Sequence, residues 1–101
     1  MHVRSIAFVA FACIAAAAHS QPADPNVARS VAANCASCHG TNGVSQGVVP
    51  SLAGQSKVDL VRKMQDFKAG RTPSTIMTQL AKGYTDEQID LAATFFASQK
   101  P

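Results

Sequence analysis

The chain has 101 residues, 47% of them hydrophobic and six aromatic, with no tryptophan, which bounds it to one small domain. Its formal charge of +3 falls to +2 over residues 21–101, where eight Lys and Arg stand against six Asp and Glu. That charge is weak and scattered, with no basic run and no aromatic-basic interleaving, which excludes nucleic acid as a partner.

The apolar excess is lopsided: 15 of the first 20 residues are hydrophobic, against 32 of the remaining 81. Met1–Arg4 carries a positive charge, Ile6–Ala18 is a 13-residue apolar run, and Ala18-His19-Ser20 sets small residues where a signal peptidase reads. This is the pattern of a cleaved secretory signal peptide over residues 1–20, with the working domain over 21–101. A run of 13 falls short of the roughly 20 apolar residues that span a bilayer, so no membrane span is expected. Cys13 lies mid-run, a poor position for lipid attachment. Export predicts a periplasmic, oxidising location, and cleavage leaves one histidine, His39, two cysteines, Cys35 and Cys38, and two methionines, Met64 and Met77.

Asp24-Pro25 predicts a helix start, Asp as N-cap and Pro at the first helical position, with Val27, Val31 and Cys35 on one face. A shaped loop follows from Gly40 to Gly54, holding four of the six glycines, in which Val44, Val48, Val49 and Leu52 require burial. Ser56-Lys57-Val58-Asp59 resembles a capping box and opens a second helix, with Leu60, Val61, Met64 and Phe67 on one arc and Gly70 as the stop. Pro73 interrupts the next stretch, leaving room for a short helix around Ile76–Ala81. Thr85-Asp86-Glu87-Gln88 is a capping box that starts a last helix reaching about Gln99. Its apolar face is broad, and its alanines suit close approach of the Val27/Val31 helix. No strand-like alternation or internal repeat occurs after residue 20, so the fold class is all-α, three to four short helices with connecting loops.

Cys35-Ala36-Ser37-Cys38-His39 is C-x-x-C-H, the c-type haem attachment sequence. Two thiols three residues apart reach the two vinyl groups of one porphyrin, and the next residue's imidazole then lies under the iron. A thioredoxin-like dithiol lacks its strand-helix context, zinc lacks a fourth ligand at finger-like spacing, and a Cys35–Cys38 disulfide closes too small a loop to gain much. One covalent haem also supplies the bulk that an aromatic-poor domain lacks, so helices and loops are expected to wrap around it. With His39 the one remaining imidazole, the second iron ligand must come from elsewhere. Met64 reads as a core residue on its helix, whereas Met77, beyond Gly70 and Pro73, is placed to offer its thioether. A His39/Met77 pair raises the potential and closes both axial positions, which suits electron transfer rather than catalysis. The second nitrogen of His39 needs an acceptor, and the Pro50 carbonyl of Val49-Pro50-Ser51-Leu52 is the expected one.

The segments C-A-S-C-H-G, P-S-L-A-G-Q, F-K-A-G-R and the closing F-F-A-S-Q, over residues 25–100, resemble class I bacterial cytochromes c of the c4, c5 and c553 kind. The stretch Arg71–Ile89, with A-K-G-Y at its centre, is more similar still to the cytochrome subunit of flavocytochrome c sulfide dehydrogenase. That resemblance implies a class I cytochrome c fold, Met77 as distal ligand and Pro50 as the loop proline. It also implies an FAD-containing, sulfide-oxidising flavoprotein on a separate chain as electron donor, with other redox proteins as acceptors. Two further functions stand beside it: a free c553- or c5-like carrier between respiratory complexes, and a haem enzyme or gas sensor with an open iron position.

Overall fold

The computed structural model describes residues 3, 7, 9–13 and 24–101; the expected leader over 1–20 lies otherwise outside the described residues. Helix α1 (Pro25–His39) starts where Asp24 accepts a hydrogen bond from the Asn26 N–H at 2.8 Å, with Pro25 in the first turn where its missing N–H costs nothing. It ends at Gly40, whose φ of +88° turns the chain sharply. A Cβ at Gly40 would sit 1.9 Å from the Val44 carbonyl oxygen, so the turn admits glycine alone. A 3-10 turn over Thr41–Gly43 follows.

Helix α2 (Lys57–Lys68) is capped by Ser56, whose hydroxyl accepts from the Asp59 N–H at 3.1 Å. The reciprocal half of the box-like cap is not made, because the short Asp59 carboxylate turns to Arg62 at 3.2 Å instead. The helix closes with the Gly70 N–H donating to the Phe67 carbonyl and the Arg71 N–H to the Asp66 carbonyl, at 3.0 and 2.8 Å. This paired arrangement uses the left-handed conformation of Gly70. Helix α3 (Met77–Lys82) is short and is not capped by its preceding residue, Ile76; the Ser74 hydroxyl instead accepts from the Thr78 N–H at 2.9 Å. Helix α4 (Asp86–Ala97) opens with both halves of the capping box, the Gln88 N–H to Thr85 Oγ1 at 3.1 Å and the Thr85 N–H to Gln88 Oε1 at 2.9 Å. It stops two residues short of the expected Gln99.

Helix α4 is the hub: α1 and α2 both pack against it, and α3 packs against α2. Helix α1 meets α4 as the α4 alanines suggest, but through a different face of α1. Ala28 and Ala32 are buried, while Val27 is 48% exposed and lines a shallow surface groove with Val31. The reason is distance: Ala32 and Ala93 share the core with Leu60 and Phe96, and small side chains let the helices approach closely. Arg29 lies over the Phe95 ring, 5.8 Å from its centroid, and Phe95 meets Phe96 edge-on at 5.2 Å. Lys68 spans from α2 to the start of α4, its ammonium donating to the Tyr84 carbonyl at 2.6 Å and approaching Asp86 at 3.4 Å. Lys57–Asp90 makes a second α2–α4 tie, at 3.1 Å.

Among the described residues there are four α-helices and no strands. Of the eight buried apolar residues five are alanine, leaving Leu60, Ile89 and Phe96 as the large contributors, each worth roughly 1.5–3 kcal/mol. The core is therefore thin, and the loop valines do not thicken it: Val48 is fully exposed and Val44 reaches the surface.

Candidate haem-binding site

The motif residues fall on the last turn of α1. Cys35 and Cys38, three positions apart, share a helix face; Cys35 packs against the Ala32/Leu60/Ala93/Phe96 core, and Cys38 is exposed. Burial pushes the Cys35 thiol above its ordinary pKa, and both cysteines are free thiols. Among the described residues no three His, Cys, Asp or Glu side chains are grouped to hold a metal ion, and no strand provides a thioredoxin-like setting.

His39 is half-buried, and its Nδ1 lies 2.6 Å from the Pro50 carbonyl oxygen. A carbonyl only accepts, so Nδ1 carries the proton and the lone pair is left on Nε2, the nitrogen free to bind a metal. The loop delivers that carbonyl because it folds back onto the helices. The Leu52 and Ala53 N–H groups donate to the Gly43 carbonyl at 2.8 and 3.1 Å, and the Gly54 N–H donates to the Phe96 carbonyl at 3.0 Å. Gly43, at φ +79°, lies so close under Phe96 that a Cβ there would meet the ring at 2.7 Å. Ser51 and Gln55 also hydrogen-bond within this loop. Pro50 is legible in P-S-L-A-G-Q, whereas nothing in the sequence pattern marks Ser51 or Gln55 as side chains that hold the loop.

Met77 is the first residue of α3 and is half-buried. His39 ends α1, which packs mainly on α4, and Met77 begins α3, which packs mainly on α2. Met64 is half-buried on α2. Exposed apolar side chains come from the segments bearing these residues: Val44 and Val48 from the loop after His39, Ile76 and Leu80 flanking Met77.

The cytochrome c family model matches residues 26–100. The chain belongs to the cytochrome c family. It is 46% identical over 65 residues to the cytochrome subunit of sulfide dehydrogenase from Chlorobaculum tepidum, covering 64% of this chain and 59% of that protein. It is 38% identical over 80 residues to cytochrome c4 of Azotobacter vinelandii, covering 69% of this chain and 38% of that protein. Cytochrome c-554(548) of Halomonas halodenitrificans is 33% identical over 70 residues, 65% of this chain and 84% of that protein. The chain thus spans about three fifths of the first relative and under two fifths of the second.

As a cytochrome c with the class I fold, the protein has one covalently bound haem c as its cofactor. The residues present fit that cofactor. They offer two free thiols on one helix face, an imidazole whose Nε2 alone is free, and a thioether opening α3. The segments that bear His39 and Met77 also expose Val44, Val48, Ile76 and Leu80.

Proposed function

We propose that Cys35 and Cys38 hold the haem as thioethers, that His39 and Met77 are its axial iron ligands, and that the protein is a periplasmic electron carrier. In this role it serves as the cytochrome subunit that accepts electrons from a sulfide-oxidising flavoprotein. Bound haem supplies one iron that gains and loses a single electron without making or breaking bonds to substrate. His39 keeps its proton on Nδ1 through both oxidation states because the Pro50 carbonyl is a fixed acceptor. The observation that carries the reading is this 2.6 Å contact at the end of a C-x-x-C-H helix. It orients the imidazole before any partner arrives. Met77, on a separately packed helix, adds a soft thioether donor that favours the reduced iron. With His39 and Met77 both holding the iron, small molecules would have no open site at which to react, and the protein would be a carrier without catalysis of its own.

The sulfide dehydrogenase assignment is supported by the 46% identity to a subunit of that name. A second reading, a free carrier moving between redox partners, is favoured by the match to cytochrome c-554(548), which covers 84% of that protein. The net charge of +2 over residues 21–101 is nearly balanced by two haem propionates, so long-range steering is weak in either case and docking depends on local contacts. Purification from the native host separates them. The subunit reading expects a haem- and flavin-containing complex in which sulfide reduces the haem only while the flavoprotein is present. A haem protein that purifies alone and exchanges electrons equally with several partners establishes the free carrier instead.

A further inference from the structure

The direction of the Pro50 carbonyl depends on the peptide plane between Pro50 and Ser51. Proline restricts that plane from one side through its fixed φ. From the other side, Ser51 is held at two atoms. Its Oγ accepts from the Ser45 N–H at 2.8 Å, and its carbonyl accepts from Gln55 Nε2 at 2.7 Å. Gln55 is fixed in turn, since its Oε1 accepts from Lys63 Nζ, on α2, at 2.7 Å. A full positive charge on the amide oxygen polarises the Gln55 amide and strengthens its N–H as a donor. The contacts thus run unbroken from α2 to the acceptor of the His39 proton.

We infer that Ser51 and Gln55 are positioning residues that set the reduction potential of the iron through the Pro50 carbonyl, with Lys63 reinforcing Gln55. The inference rests on His39 being the axial ligand. A well-aimed carbonyl draws the Nδ1 proton toward itself and makes Nε2 a stronger donor, which favours the oxidised iron and holds the potential down. Once the carbonyl is free to turn, that donation weakens and the potential rises. None of the three side chains needs to touch the haem for this effect.

The test uses the haem-loaded protein. In the oxidised wild type, the His39 ring resonances are expected at strongly hyperfine-shifted positions; unshifted resonances would show that His39 is not a ligand, which defeats the functional reading independently of the variants. With the ligand established, Ser51→Ala and Gln55→Ala are each expected to raise the potential and to speed exchange of the His39 Nδ1 proton by roughly five- to tenfold, the factor one lost hydrogen bond supplies. Ser51→Thr keeps the hydroxyl and is expected to restore wild-type values, and Lys63→Met is expected to speed exchange by a smaller factor. Should Ser51→Ala not fold, Gln55→Ala, a change at a surface-reaching amide, carries the test. Folded variants whose potential and Nδ1 exchange match the wild type overturn the inference, as does a potential shift that Glu87→Gln, in the first turn of α4, reproduces.

Discussion

Along α1, α2 and α4 each helix start is capped by its own side chain, Asp24, Ser56 or Thr85, and the buried faces meet through alanines around Leu60, Ile89 and Phe96. The Gly40–Gly54 loop and the approach to α3 behave differently. Their backbones are tied down by hydrogen bonds, but Val44, Val48 and Ile76 are exposed, and α3 is not capped by its preceding residue. The frame of three capped helices is specified by local contacts, although Val27 and Val58 are exposed on it, whereas the segments carrying Pro50 and Met77 are held by loop hydrogen bonds. A small domain with five alanines among eight core residues can hold three helices together. Bound haem is expected to complete the remainder.

Removing the attachment should break this contrast most severely. Cys35→Ser combined with Cys38→Ser is expected to leave no haem on the polypeptide after denaturing electrophoresis and a poorly folded chain, with amide protection lost first over residues 40–54 and 71–77. A well-folded, haem-free variant contradicts the division. Within the frame, Phe96→Ala removes the ring that packs on Gly43 and the Ala32/Ala93 contact, and should cost about 3–5 kcal/mol in denaturant unfolding of the holoprotein. Thr85→Ala removes one half of the α4 capping box and should cost about 1 kcal/mol by the same measurement, without altering the haem spectrum.

The smallest effect is electrostatic. Hydrogen bonds from Gln65 and then Lys68 hold the Asp86 carboxyl below the usual carboxylate range. Its folded pKa therefore lies below its unfolded value of about 3.9, so its contribution is present above that value and is lost as pH falls through the folded pKa. Asp86→Asn should flatten the loss of stability below about pH 4 while leaving the haem spectrum at neutral pH unchanged. An unaltered acid limb would show that the α2–α4 tie does not act through this carboxylate.

The helix starts are legible in the sequence because a cap is a local contact; Asp24-Pro25 and Thr85 through Gln88 state their geometry within four residues. The face of α1 is not legible in this way. Hydropathy ranks Val27 and Val31 above Ala28 and Ala32, but the contact with α4 selects for small size, leaving Val27 exposed and Val31 half-buried. Asp59 resembles the acidic member of a capping box, yet its side chain reaches Arg62 instead of the helix start. Expecting burial for Val44 and Val48 rests on hydropathy alone, and the loop hydrogen bonds that fix the backbone here leave both side chains at the surface. At the site, C-x-x-C-H is legible because helix spacing fixes it. Ser51 and Gln55 leave no periodic trace, since side-chain contacts to loop backbone recur at no fixed interval.

The most direct test of the central claim, that the segment after Pro73 closes over the iron with a sulfur ligand, is the sulfur-to-iron charge-transfer band of the oxidised protein in Met77→Ala and Met64→Ala. The account predicts that Met77→Ala abolishes the band, lowers the potential and opens the iron to carbon monoxide or cyanide, whereas Met64→Ala keeps the band and costs up to about 2–5 kcal/mol of stability. A band that survives in Met77→Ala and vanishes in Met64→Ala would contradict it.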